Sequence, residues 1–447
     1  MAHRHSADPA ATPTDPPREF ALEVVRRLRE AGFHALWAGG CVRDAVLGRT
    51  PKDYDVATTA APEDVIRLFG RQRTVPVGVS FGVVMVLGPN RSSGQIEVAT
   101  FRSDGNYLDG RRPSHVRFCT PEEDALRRDF TINGMFFDPL EDRVIDYVGG
   151  REDLAAGIVR AIGNPAERFS EDKLRILRAV RFAATFGFEL DPATAAAARA
   201  LRHSVIQVSV ERISQELRRM LAHFSRARTL RLLDELLLLP ILFPRVFGTE
   251  TADPQHRGSL TARTEHTLAH LTCSRFEPAL TALLLPLYEP DLPPGGRGNA
   301  IAAECRQLRL SGDEVSCVVW LADGIHLLQE IQRQPLHILK PLLSNPRVEL
   351  LLDLSAALAL GAGEPAVDAT WCRSYLSRTP AEQLSPPPLI DGAVLLQLGI
   401  PAGPQLGQLL ATIRREQLDE LLDSTDTALA RLRVLTEKFP AGRFDPA

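Results

Sequence analysis

Residues 36–58, LWAGGCVRDAVLGRTPKDYDVAT, restrict this chain more than any other stretch. An apolar run leads into Gly39-Gly40, then Arg43-Asp44, then Asp53-Tyr54-Asp55-Val56. Tyr54 and Val56 have the aromatic and β-branched character of a strand, and strand alternation would put Asp53 and Asp55 on one face. Such a pair offers only hard oxygen ligands in an incomplete shell. That suits Mg²⁺, which keeps positions for water and phosphate. The two glycines would let backbone N–H groups approach an anion, and the helix after them would aim its positive end there. An isolated Asp-x-Asp also fits an exposed strand end. Its coupling to Gly-Gly and Arg-Asp ten residues earlier favours a site for a metal and a phosphorylated ligand.

A chain of 447 residues exceeds one ordinary core and implies two to four domains. A net charge of −4 exerts no global pull on nucleic acid, so RNA binding would need a local basic surface. The six cysteines lack the close spacing of a zinc knuckle or a disulfide frame and read as reduced thiols. No apolar run approaches the roughly 20 residues that span a bilayer, and the polar, Pro-rich start differs from a signal sequence, so a cytoplasmic protein is expected. Residues 1–17 are expected to form a flexible tail. Helices are expected over residues 18–31 and 62–69, and a strand pair around a Gly-bearing turn over 75–88.

Three further stretches carry candidate chemistry. Residues 96–102 read as a strand with Glu97 as a third carboxylate, able to help hold metal or assist a deprotonation. Residues 126–135, LRRDFTINGM, concentrate Arg127, Arg128 and Asp129: Arg128 would clamp phosphate or ribose oxygens and Asp129 would accept from a ribose hydroxyl. Residues 170–182, SEDKLRILRAVRF, repeat charge every three residues at Asp172, Arg175, Arg178 and Arg181, while Leu174, Ile176, Leu177 and Val180 supply an apolar face.

The combination of GGCVRD, DYD and RRDFTIN with this arginine spacing resembles the nucleotidyltransferases related to DNA polymerase β. The resemblance is to their class II branch, the CCA-adding tRNA nucleotidyltransferases and bacterial poly(A) polymerases. It implies an α+β architecture, a polymerase-β-like head with a small mixed sheet followed by an all-helical neck, body and tail. The expected boundaries are 18–150 for the head, 151–215 for the neck, 216–340 for the body and 341–447 for a tRNA-contacting tail. It implies Mg²⁺ at Asp53 and Asp55, and CTP, ATP and the 3′ end of tRNA as partners. Gly39, Gly40, Arg43, Arg128 and Asp129 would hold phosphate and sugar. Residues 109–118, DGRRPSHVRF, resemble the flexible loop that CCA-adding enzymes need when switching from C to A. Val83 replaces a Thr common after the glycine at Gly82, and the Gly-Arg-Arg-Phe-like segment of poly(A) polymerases is absent near Val75, although residues 69–73, FGRQR, partly echo it.

The resemblance makes the helix after Ser170 the nucleotide reader, and hydrogen-bond types say what it would read. Arg175 only donates and ionised Asp172 only accepts. Cytosine and adenine each present an amino donor beside a ring-nitrogen acceptor and satisfy both. Uracil and guanine reverse the pattern, leaving buried groups unpaired at about 1 to 3 kcal/mol each. Arg178 and Arg181 would then orient Arg175 or reach phosphate, and Glu211-Arg212 would brace the neck. Residues 257–290 resemble an HD-type phosphohydrolase region in which Leu285 and Pro286 stand where a His-Asp pair is needed; His266 and His270 share a helical face without a carboxylate pair. Residues 230–244 read as one hydrophobic helix, and residues 389–422 resemble the family's C-terminal helix pair. A poly(A) or A-adding polymerase, a catalytically dead RNA-binding protein and transfer to a small molecule remain as alternatives.

Overall fold

The computed structural model describes residues 15–78, 82–104, 116–248, 254–293, 295–329 and 331–437. The chain divides into two compact units, Met1–Met220 with Leu232–Leu242, and Leu221–Arg231 with Phe243–Ala447.

The first unit opens with α1 (Pro16–Glu30), capped by Asp15, whose side chain accepts from the Arg18 amide at 3.2 Å. Two prolines fill the first turn, where no amide hydrogen is required, so the expected tail ends earlier than residue 17. Residues 1–14 of that tail lie outside the described residues. Phe20, Val24, Val25 and Leu28 of α1 are buried. Next come β1 (Ala35–Ala38), α2 (Gly40–Val46), β2 (Asp55–Thr58), α3 (Pro62–Phe69), β3 (Thr74–Gly78), β4 (Val83–Leu87) and β5 (Gln95–Thr100). A hairpin of β6 (Arg102–Asp104) and β7 (Val116–Phe118) leads to α4 (Pro121–Leu126), then β8 (Phe136–Asp138) and β9 (Arg143–Ile145). The mixed sheet has the order β3-β4-β5-β2-β1-β8-β9. Its one parallel pairing, β2 with β5, sets Asp55 opposite Glu97 and Val56 opposite Val98.

Register fixes which side chains share a face. Val56, Val84 and Val98 form the side covered by α1 and α3 and are buried. The opposite side holds Leu36, Ala38, Ala57 and Phe136, which pack with Phe101 and with Ala125 of α4. Asp55 and Glu97 emerge on that second side, where the exposed positions lie.

Beyond the sheet lie α5 (Gly150–Ala156), β10 (Ile158–Val159), α6 (Pro165–Glu171), α7 (Leu174–Phe186), β11 (Glu189–Leu190), α8 (Pro192–Ala200) and α9 (Val210–Leu221). The two short strands pair in parallel within this otherwise helical region. Residues 230–244 do not form one helix. They divide among α10 (Arg226–Glu235), α11 (Leu239–Leu242) and the start of α12 (Pro244–Phe247), because Leu237 takes a left-handed φ of 57° and Pro244 starts a new turn. Leu233, Leu236, Leu238 and Leu239 stay in the core, while Leu237 is exposed.

The second unit is helical: α13 (Pro254–His270), α14 (Phe276–Leu284), α15 (Asn299–Gln307), α16 (Gly312–Leu328), α17 (Leu336–Leu343), α18 (Val348–Gly361), α19 (Val367–Arg378), α20 (Ala381–Leu384), α21 (Gly392–Gln397), α22 (Pro404–Leu418) and α23 (Thr425–Glu437). Gly361 lets α18 approach α13, since a Cβ there would sit 2.8 Å from the Thr267 nitrogen. Fully buried Arg226 donates to the Leu271 and Cys273 carbonyls at 2.8 Å, and Asp353 receives the Thr272 and Cys273 amides, so one turn is held from both sides. Leu395, Leu409, Ile413 and Leu432 form a separate core in the C-terminal helices. No helix among the described residues is long and apolar enough to cross a membrane.

Candidate active site

Tyr54 and Val56 are buried while Asp53 and Asp55 are exposed, the alternation expected of a strand. The strand itself begins at Asp55, and Asp53 lies in the bend before it. Asp55 keeps access to solvent, yet its surroundings are crowded. Burial, then the negative charge of Glu97, push its carboxyl up to about 6; Arg128 opposes the shift and Asp53 adds to it. Two carboxylates thus repel Asp55 on one face of the sheet, at its interior strands β2 and β5.

Gly39 sits between β1 and α2 with φ 71° and ψ −127°, a conformation open to glycine alone, and its amide donates to the Met135 carbonyl. A Cβ there would come 3.4 Å from Nη1 of Arg128, so the glycine also leaves room for that guanidinium. A Cβ at Gly40 would approach Arg43. Arg43 is buried, donates from Nη1 to Asn133 Oδ1 at 2.7 Å and from Nε and Nη2 to Asp44, and lies 4.4 Å from the Phe186 ring centre. Asp129 differs from the expectation of a waiting ribose acceptor. Its Oδ1 receives the Phe130 amide and Asn133 Nδ2, and its Oδ2 receives Nε and Nη2 of Arg178. Burial alone would raise the Asp129 carboxyl, but the charge and hydrogen bonds of Arg178 prevail and hold it down at about 2.

The charged helix resolves the same way. Asp172 follows α6 and accepts from Arg212 through two bonds, Nη1 to Oδ1 at 3.1 Å and Nη2 to Oδ2 at 2.8 Å, while the Leu174 amide also reaches Oδ1. Arg175 donates from Nη1 to Glu171 at 2.8 Å and to the Arg168 carbonyl, and from Nη2 to the Arg127 carbonyl at 3.0 Å. Arg178 and Arg181, expected to orient Arg175 or reach phosphate, line the cleft while each also pairs with an acid: Arg178 with Asp129, and Arg181 with buried Glu216 at 2.6 Å. Both flank Phe182, whose ring centre is 4.2 Å from the Arg181 guanidinium and 5.3 Å from that of Arg178.

These groups surround a cleft of ≈ 630 Å³ lined by Gly39, Gly40, Arg43, Asp55, Arg127, Arg128, Asp129, Asn133, Asp172, Leu174, Arg175, Arg178, Arg181, Phe182, Arg212 and Arg219. Eight arginines and three aspartates line it, and Asp44, Asp124, Glu171 and Glu216 pair most of those arginines from behind. Asp53 and Glu97 are not among its walls. Sequence reasoning missed Asp124, Phe182 and Glu216 and gave Arg212 only a bracing role; the hints were the regular arginine spacing, which demands acids somewhere, and the placement of Asp124 three and four residues before Arg127 and Arg128.

Two known families match parts of the chain on either side of the Asp172–Phe182 stretch of the cleft. Residues 35–160 match the family described as "Poly A polymerase head domain", and residues 187–247 match "Probable RNA and SrmB- binding site of polymerase A". The CCA-adding enzyme of Bacillus subtilis is 46% identical over 202 residues, 45% of this chain and 49% of that protein. That of Geobacillus stearothermophilus is 42% identical over 221 residues, 49% of this chain and 53% of that protein. The matched part of the chain thus spans about half the length of these curated relatives. The crystal structure of the Bacillus stearothermophilus CCA-adding enzyme in complex with CTP is 28% identical and covers 95% of this chain and 100% of that one, with a TM-score of 0.74. Over its head and the segment after its arginine-bearing helix, the chain is similar to class II tRNA nucleotidyltransferases and bacterial poly(A) polymerases. The Thermotoga maritima CCA-adding enzyme, at 20% identity and a TM-score of 0.64, shares the fold over 93% of this chain and 95% of its own.

Residues 109–115 of the expected flexible loop lie outside the described residues, and 116–118 form β7. His266 and His270 are exposed on α13, with His270 Nδ1 against the His266 carbonyl, and Leu285 and Pro286 sit in a short 3₁₀ turn. Among the described residues no group of three or more His, Cys, Asp and Glu gathers as a metal site. Asp53 and Asp55 nonetheless fit a divalent cation by donor type. Burial and then repulsion from Glu97 raise Asp55, and a cation would relieve that repulsion.

Proposed function

We propose that this protein adds C, C and A to the 3′ end of tRNA without a template, using CTP and ATP and releasing pyrophosphate. The observation that carries this reading is the joining of two chemistries in one cleft, Asp55 with Arg128 on one side and Asp172 with Arg175 on the other. The likeness along the whole chain to a CCA-adding enzyme in complex with CTP supports it.

In the proposed reaction the RNA 3′-oxygen bonds to the α-phosphorus of the nucleotide. The bond from that phosphorus to the bridging oxygen breaks, and pyrophosphate leaves. Asp53 and Asp55 would hold Mg²⁺, which when bound supplies charge neutralisation at the phosphates. Glu97, exposed beside Asp55, is in register to take the proton of the attacking hydroxyl. Arg128, backed by Gly39, would bind phosphate. Base choice follows from the hydrogen-bond count: Oδ1 of Asp172 already accepts two bonds and Oδ2 one, so one acceptor position remains, and Arg175 retains donors beyond its three bonds. One acceptor beside a donor matches cytosine and adenine.

The test is a product gel with tRNA lacking CCA, supplied with CTP and ATP separately and together. Addition of two C with CTP, and of a terminating A once both are present, supports the reading. The match to a poly(A) polymerase head favours one other outcome, a long A tract on unstructured RNA with CTP ignored, and that result would replace it.

A further inference from the structure

We propose that Asp124 is a positioning residue for the nucleotide site, aiming Arg128 into the cleft and fixing the backbone that holds Arg175. The inference rests on the proposed function and names a residue outside the arginine and aspartate motifs that suggested it. Asp124 is 1% exposed, on α4. Its Oδ2 receives Arg128 Nε at 3.1 Å and Nη2 at 2.9 Å; its Oδ1 receives Arg127 Nε at 2.9 Å, Arg127 Nη2 at 2.6 Å and the Arg102 amide at 3.2 Å. A fork held from its Nε edge can point its remaining nitrogen in one direction only. That nitrogen, Nη1, reaches the Asn133 carbonyl at 3.2 Å beside Gly39. The neighbouring Arg127 carbonyl receives Arg175. One carboxylate therefore sets both the arginine whose charge acts on Asp55 and the peptide behind the base-reading arginine.

A purely structural role in starting the helix is already filled. Thr120 caps α4 through the Glu123 amide at 3.3 Å, and the Glu123 side chain returns a bond to the Thr120 amide at 3.0 Å. Burial opposes ionisation of Asp124, but the charges of Arg128 and Arg127 hold its carboxyl below the usual range. A buried charge pair of this kind adds little net stability over an apolar packing, and it fixes direction instead.

The experiment compares the full-length wild type with Asp124→Asn, Asp124→Glu, Arg128→Lys and the double variant Asp124→Asn/Arg128→Lys, at a temperature where all four variants are folded. CTP and ATP affinities are measured by calorimetry without RNA, alongside KM and kcat on tRNA lacking CCA. Asp124→Asn is expected to weaken both nucleotides about ten- to hundredfold, the range for a hydrogen bond to a charged group, with KM for tRNA unchanged. Asp124→Glu recovers part of the loss, and Asp124→Asn adds little once Arg128 is Lys. Losses that multiply in the double variant, or unchanged nucleotide affinity in Asp124→Asn, overturn the positioning role. A wild type that binds nucleotide but extends no RNA overturns the proposed function, while the calorimetric cycle still decides on Asp124. A wild type that binds neither nucleotide overturns both.

Discussion

Arg212 holds Asp172 in a two-bond grip across 40 residues of sequence, at 3.1 and 2.8 Å. The carboxylate proposed to read the incoming base is therefore set by α9, and its remaining acceptor position is oriented before any nucleotide arrives. Asp172→Ala is expected to relax selection against UTP and GTP by roughly one to two orders of magnitude, since it removes the acceptor that their carbonyls would face. Arg212→Ala is expected to lower kcat/KM for CTP and ATP together, because it frees the carboxylate to rotate. Incorporation ratios for the four nucleotides measure both; unchanged selection in Asp172→Ala ends the base-reading assignment.

Asp53→Ala and Asp55→Ala each remove a carboxylate from the proposed cation site while sparing the buried faces of the sheet. Both are expected to abolish incorporation with melting temperature and tRNA affinity close to wild type. Substantial turnover in both variants would contradict a cation held there.

The pairing of Asp129 with Arg178 has a pH signature. The Asp129 carboxyl is held at about 2 in the folded chain against about 3.9 unfolded, so the fold favours its ionised form. The resulting stabilisation, on the order of 2 kcal/mol, is present above pH 4 and is lost as pH falls from about 4 to about 2. Asp129→Asn is expected to be less stable than wild type at neutral pH, with the gap closing toward pH 2. Denaturant melts along that range check it; a gap independent of pH would mean the ion pair is not its source.

The second unit is expected to show no metal-dependent phosphodiesterase activity. His266 and His270 are exposed without a carboxylate pair, and Leu285 and Pro286 offer no ligand. Full-length Asp53→Ala protein incubated with 2′,3′-cyclic phosphates and Ni²⁺ or Mg²⁺ is the assay. Phosphate release that disappears on His266→Ala would show a working centre.

Sequence alone determined the features that depend on near neighbours. The prolines, glycines and apolar spacing placed α1 and α3 to within a residue or two, and β-branched alternation placed β4 and β5, because those signals act over a few residues of chain. The motifs around Gly39, Asp55, Arg128 and Asp172 marked the cleft for the same reason. Pairings across the chain were decided only in three dimensions. The parallel register of β2 with β5 sets Glu97 beside Asp55, and no local pattern encodes it. Asp129 became the partner of Arg178 and Glu216 that of Arg181, partners 49 and 35 residues apart. An arginine's place in a helical stripe says which face it occupies, while the acid that holds it comes from whichever element folding brings within about 3 Å.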